Sequence, residues 1–226
     1  MLQLLVRHGE SLSNAEGRVQ GQSDVALSPL GRLQAGDVGA WARSFSVGRE
    51  GPISEIWSSP LARARQTADI VAAALGLPVR FDDRLKELHA GVFQGHLWSE
   101  LDTRFPEAAA RWRAGDPDDP IPGGESRRML AARGRDVLED LAGRPIGTML
   151  IVAHGGLLTA TLGSLLGGHD PLLAGAASRP FTRLPALANA SITRLLWPGP
   201  RLDRFNDTGH LSPVAAGGTA GGGEGA

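Results

Sequence analysis

The chain opens on a short, mostly apolar run, Leu2 to Val6, that ends at Arg7 and His8 before Gly9 turns it. A run of that kind closed by glycine predicts a strand buried on both faces, as in a parallel sheet. From Ser28 the period changes. With Pro29 just inside, Leu30, Leu33, Gln34, Ala35, Val38 and Trp41 fall at helical spacing, so Ser28 is the expected N-cap. Glu55 to Ser58 predicts a second strand, and LARARQTADIVAAAL after Pro60 predicts a helix along Leu61, Ala64, Ala68, Val71 and Leu75 that Gly76 stops. Val79 to Phe81 is a candidate third strand. Trp98, Leu101, Phe105, Ala109 and Trp112 space one helix over residues 97–114, and a second helix is expected from near Glu125 to Leu141. Met149 to Ala153 then repeats the opening design, a strand running into His154 and two glycines, with a helix from about Leu157. Strands near 190–196 and 201–206 suit a sheet edge. This alternation predicts an α/β fold, three αβα layers on a mainly parallel sheet. One domain is expected over 1–211, with 212–226 a flexible Gly/Ala-rich tail.

Composition narrows the function classes. At 226 residues the chain suits one large domain, and a net charge of -1 gives no field that would favour nucleic acid or an anionic membrane. There is no cysteine, which excludes disulfides, thiolate catalysis and thiolate metal sites. Only Leu2, Gln3 and Leu4 separate Met1 from the LVRHG run, and no apolar stretch reaches membrane-spanning length, so a soluble, cytoplasmic protein is the expectation. A homodimer is left open.

The chemistry concentrates at strand ends, where ligands bind in open α/β sheets. VRHG and VAHG each place an imidazole where a strand becomes a glycine turn, and the two meet if their strands are neighbours. Either histidine alone is more often structural. Arg7 changes that, because a guanidinium at the end of a buried strand is costly to desolvate unless an anion compensates it. SSPLARARQTA adds Arg63 in the first turns of a helix after a strand. A phosphoryl dianion meeting such groups gains roughly 4 kcal/mol of gross Coulomb energy per close pair at an effective dielectric near 20. The residues therefore favour an anionic ligand.

LVRHGESLSN, GRVQGQSDVALSPLGRLQA, SSPLARARQTA, LKELHAGVFQG, PGGES and VAHGG together resemble the histidine phosphatase superfamily, the phosphoglycerate-mutase-like proteins, in order and spacing over about residues 2–196. The resemblance implies that His8 is the nucleophile, forming a phosphohistidine. It implies that Arg7, Arg63 and His154 surround the phosphoryl oxygens, and that Glu87 is the acid and then the base, a role expected to need burial. Ser11, Asn14, Gln20 and the Gly21 backbone, with Gly155, are the implied phosphate-binding positions. No cofactor and no metal are implied, and the partner is a small phosphorylated metabolite.

Blander readings stand beside these. Glu87 suits a solvated charge after Lys86, and Asn14 and Gln20 suit loop caps. His89 and His96 are seven apart with no carboxylate at metal-like spacing. Glu125 and Ser126 are read as capping the next helix. Phe93 and Gln94 stand where the family usually has Trp and Glu, and Arg127, Arg128 and Met129 where an acidic residue often follows PGGES. Arg104, Arg111, Arg113, Arg127 and Arg128 form either a second anion site or, the preferred reading, a solvated face. The short KELHAGVFQG middle favours a metabolite phosphatase over a cofactor-dependent mutase, with a phosphosugar or glucosyl-3-phosphoglycerate-like ester as substrate. A non-catalytic phosphate-binding module is the alternative from another class.

Overall fold

A computed structural model describes residues 1–48, 51–167 and 184–217. Its strands are β1 (Leu2–Arg7), β2 (Ile53–Ser58), β3 (Val79–Phe81), β4 (Thr148–Ala153), β5 (Ile192–Leu196) and β6 (Arg201–Asp207). Its helices are α1 (Leu12–Ala15), α2 (Pro29–Ser46), α3 (Ala62–Leu75), α4 (Leu101–Arg104), α5 (Pro106–Ala114), α6 (Arg127–Ala142), α7 (Gly155–Leu166) and α8 (Pro213–Ala216). The strands form one sheet in the order β3-β2-β4-β1-β5-β6. The first four of that order pair in parallel, and β5 runs antiparallel to both β1 and β6. The expected edge from the last two strands is there, and the sheet is mostly parallel.

Alternation along the central strands builds the layers. Leu4 and Val6 of β1 and Leu150 and Val152 of β4 pack with Val38 and Ala42 of α2 and Ala64, Ala68 and Val71 of α3. Leu5, Met149 and Ile151 face the other way, onto Leu130, Val137 and Leu138 of α6 and Leu157, Leu158 and Leu162 of α7. Both strands are buried at every position, which is why they read as continuous apolar runs. Val19, Ala90, Phe93, Leu101, Ala109, Trp112 and Ile121 make a third, smaller core. Phe93 is thus a packing residue.

Several boundaries differ from the sequence expectation. The single helix over 97–114 divides, because Phe105 precedes Pro106 and is pushed to φ -137°, ψ 55°, ending α4 before α5 starts. The next helix begins at Arg127 with Ser126 as N-cap, and α7 begins at Gly155, directly after His154. The segment expected as a tail over 212–226 opens with residues that are docked, α8 among them. Ser212 N–H and Oγ both donate to Asp37 at 2.8 Å, and Gln34 Nε2 donates to the Ala215 carbonyl at 3.1 Å, docking α8 on α2. Four residues are too short for a period to register. Residues 218–226 lie outside the described residues. Among the described residues no helix is long and apolar enough to cross a membrane.

Candidate active site

Register explains how two distant histidines meet. Val6 pairs with Val152 and Arg7 with Ala153, so the parallel strands β1 and β4 end side by side. His8 N–H donates to the Ala153 carbonyl at 3.0 Å, and the His8 and His154 rings lie edge to face with centroids 5.1 Å apart. Both are buried. Burial, then the charges of Arg63 and Arg7, hold the pKa of His8 well below the ordinary histidine value. The same holds for His154, through burial first and then Arg63, His8 and Arg7. Both imidazoles are therefore neutral at pH 7.

The proton on His8 can be placed. Its Nδ1 lies 2.6 Å from the Gly9 carbonyl, which only accepts, so Nδ1 donates and Nε2 keeps the lone pair. Arg63 Nε donates to that Nε2 at 3.2 Å. The first turn of α3 delivers Arg63 wholly buried, its other nitrogens on the Ser23 carbonyl at 2.9 Å and the Gly21 carbonyl at 2.8 Å. Arg7 donates through Nη1 to the Leu187 carbonyl, while its buried Nε has no hydrogen-bond partner among the described residues. Burial pushes both guanidinium pKa values down to about 10, with Glu87 acting against the fall in each. Two desolvated cations and an unpaired N–H donor make a place for an anion.

Glu87 reaches this cluster from the loop after β3. Its Oε1 accepts from Leu88 N–H and Leu157 N–H, both at 2.8 Å, and its Oε2 accepts from Gly156 N–H at 2.9 Å. The carboxylate therefore sits on the N-terminus of α7, one turn from His154. It is half-buried, less enclosed than the expected acid role implied. Arg133 straps this loop, donating to the Arg84 carbonyl at 2.8 Å and the Lys86 carbonyl at 2.6 Å while pairing with Glu125. Glu125 also accepts from His89 N–H at 2.9 Å. It is thus a loop strap, and Ser126 alone caps α6, through Met129 N–H at 3.2 Å.

The loop from Ser11 to Gln22 closes one side. Buried Ser11 caps α1, with its Oγ 2.7 Å from Gln20 Oε1, and its N–H donates to Asn14 Oδ1 at 3.2 Å. Asn14 closes the capping box of α1, and Gln20 is held to it through Ser11. Asn14 Oδ1 also accepts from Asn189 Nδ2 at 3.3 Å, which leaves the Asn14 amide nitrogen as its outward donor. Gly21 has φ +52°, and a Cβ there would stand 2.6 Å from Gln94 Oε1. Gln94 in turn accepts from Gln22 N–H at 3.0 Å, so it braces the loop. At Gly155 a Cβ would press on Arg7 Nε at 3.3 Å. Gly9, whose small size invites an anion reading, serves another purpose: a Cβ there would overlap the Gly31 carbonyl of α2.

The remaining arginines do not gather around an anion. Arg104 pairs with Glu100, Arg111 with Asp119, Arg113 with Asp102 and Arg128 with Asp118, all with exposed guanidinium groups. Arg127 turns inward and stacks 3.4 Å from the centre of the Trp112 ring. His89 stays in the acid loop, and His96 lies against Phe105. Two buried residues here carried no sequence signal of a role: Ser59, whose Oγ is 2.8 Å from His154 Nε2, and Asn189, which also donates to the His8 carbonyl at 3.2 Å.

Comparison with known proteins gives a consistent picture. The family model described as the histidine phosphatase superfamily (branch 1) matches residues 3–208. A Citrobacter koseri protein named "Probable phosphoglycerate mutase GpmB" is 38% identical over 223 residues, 95% of this chain and 97% of the relative. Among solved structures, mycobacterial glucosyl-3-phosphoglycerate phosphatase in complex with VO3 is 34% identical with a TM-score of 0.77, covering 92% of this chain and 99% of its own. Entamoeba histolytica phosphoserine phosphatase, as a mutant with phosphoserine, is 27% identical with a TM-score of 0.74, covering 93% and 99%.

Proposed function

The chain belongs to branch 1 of the histidine phosphatase superfamily, and from that premise we propose that it hydrolyses small phosphomonoesters through a phosphohistidine on His8, without a metal. The observation that carries the proposal is the neutral His8 imidazole, its Nε2 lone pair facing Arg63 with Arg7 beside it. A phosphoryl group displaces the Arg63–Nε2 contact. Nε2 attacks phosphorus, the P–O ester bond breaks, and Glu87 gives its proton to the leaving alkoxide. Glu87 then takes a proton from water, the water oxygen attacks phosphorus, and the N–P bond breaks to release inorganic phosphate. Arg7, Arg63, His154 and the Asn14 amide meet the phosphoryl oxygens, whose charge they stabilise through the transfer.

The names of the relatives support one substrate class over others. Glucosyl-3-phosphoglycerate and phosphoserine are esters of small carboxylate-bearing metabolites, and an ester of that type is the proposed substrate, met in the cytoplasm. The relatives named as mutases make phosphoryl return to a second hydroxyl the alternative reading. The test is phosphate release from p-nitrophenyl phosphate and from 3-phosphoglycerate-type esters, with chelator present. Phosphate without isomer formation and loss of turnover in His8→Ala are expected. Formation of a 2-/3-phosphoglycerate mixture reverses the assignment to mutase, and binding of phosphoesters with no turnover of any of them marks a non-catalytic module.

A further inference from the structure

Ser59 is fully buried at the end of β2, and its hydroxyl has two hydrogen-bond neighbours among the described residues. Leu61 N–H donates to Oγ at 3.3 Å, and His154 Nε2 lies 2.8 Å away. A hydroxyl carries one proton. The amide nitrogen of Leu61 is itself a donor, so Nε2 is the acceptor that the hydroxyl proton reaches. Nε2 then holds a lone pair, and the imidazole carries its proton at Nδ1. That Nδ1 is buried without a hydrogen-bond partner among the described residues, as is Arg7 Nε. In the other tautomer Nε2–H would donate to Oγ, leaving the serine proton buried with nothing to receive it. It would also turn a lone pair, not an N–H, into the anion site.

We propose that Ser59 is a positioning residue that fixes the tautomer of His154, so that a neutral imidazole presents Nδ1–H to the phosphoryl oxygens. The two histidines then share one tautomer but are turned end for end. His8 spends Nδ1–H on the Gly9 carbonyl and faces phosphorus with a bare Nε2. His154 spends Nε2 on Ser59 and faces the oxygens with its N–H. One ring can attack and cannot donate; the other can donate and cannot attack. Burial beside two arginines keeps both uncharged, so the division depends on the tautomers alone. The inference rests on the phosphoryl site proposed above.

The test is a long-range proton–nitrogen correlation spectrum of protein labelled with nitrogen-15 in its six histidines. His154 is assigned by the signals that disappear in His154→Ala. In the wild type, His154 is expected to show a protonated Nδ1 and a bare Nε2, and a proton on Nε2 would overturn the proposal. Ser59→Ala should give a mixture of tautomers and bind orthovanadate about tenfold more weakly, the worth of one hydrogen bond to a charged group at its lower bound. Unchanged tautomer with unchanged orthovanadate affinity in that variant would also overturn it. The wild-type spectrum needs no turnover. Absence of hydrolysis with Nδ1–H observed would therefore refute the hydrolase and uphold the tautomer.

Discussion

Gly156→Ala isolates Glu87 from the rest of the site. Gly156 is the second residue of α7, and a Cβ built there stands 2.6 Å from Glu87 Oε1, 3.1 Å from its Cδ and 3.2 Å from Oε2. Reaching ordinary contact near 3.4 Å requires the carboxylate to retreat by about 0.8 Å. A shift of that size stretches the bonds from Gly156 N–H at 2.9 Å and Leu157 N–H at 2.8 Å beyond hydrogen-bond range. Misplacing a reacting group by that order of distance costs about a hundredfold in rate. The fold should tolerate the change, since alanine is better than glycine in a helix by about 1 kcal/mol. The assay compares kcat/KM, which reports phosphoryl transfer to His8 and not the later hydrolysis common to both, on an alkyl phosphomonoester such as β-glycerophosphate and on p-nitrophenyl phosphate. The alkoxide needs a proton from Glu87, whereas nitrophenolate leaves as an anion. The expected result is a loss of about a hundredfold on the alkyl ester and less than about tenfold on the aryl ester, a pattern Glu87→Gln should share. An equal loss of kcat/KM on both substrates, or wild-type kcat/KM on the alkyl ester, would refute the assignment of Glu87 as acid.

Three further outcomes follow from the same structure. At Gly134 of α6 a Cβ would overlap Thr161 Oγ1 of α7 and stand 3.0 Å from Thr161 Cβ, so Gly134→Ala should lower stability by about 1–3 kcal/mol, read as a reduced urea midpoint. A midpoint at or above wild type would mean the α6–α7 contact yields more easily than its geometry says. His8, His154 and His210 all have pKa values held below the ordinary 6.5, chiefly by burial. Below that pH the unfolded chain takes up protons the folded chain refuses, so stability should fall as pH drops, by up to about 1.4 kcal/mol per pH unit for each histidine. Urea midpoints that stay level from neutral pH to about pH 5 would contradict this. Finally, Arg111→Ala and Arg128→Ala should leave KM for phosphomonoesters within about twofold, because both groups are exposed and already paired. A KM rise well beyond that in either variant would restore the second anion site.

The central strands and both strand-end histidines were legible because their signals are local. A mostly apolar run of five or six residues leads into a histidine and a glycine at the end of β1, and again at the end of β4. What joins them is not local. Nothing near Arg7 says that it will lie opposite Ala153, yet that pairing brings the two rings to 5.1 Å. The division at Phe105 was also written in the chain, in the proline that follows it, but the apolar spacing from Trp98 to Trp112 runs straight across the break. A period reports which face is buried and is silent on whether the backbone continues.

The supporting residues escaped for a different reason. Ser59, Asn189 and Thr67 are small or neutral polar side chains whose weight comes from what they hold in the site: the His154 ring, the His8 carbonyl and the Gly9 N–H. A buried hydroxyl or amide must find a partner wherever the fold puts one, so its residue type does not distinguish a core bond from a site bond. Gly9 shows the converse. Its place after the histidine suggested room for an anion, while its contact with the Gly31 carbonyl shows room for a helix. The close seat of α2 holds the Gly9 carbonyl where His8 Nδ1–H can reach it, and through that bond the glycine fixes which nitrogen of His8 faces phosphorus. The small residue therefore acts on the chemistry by placing a backbone acceptor, not by clearing space.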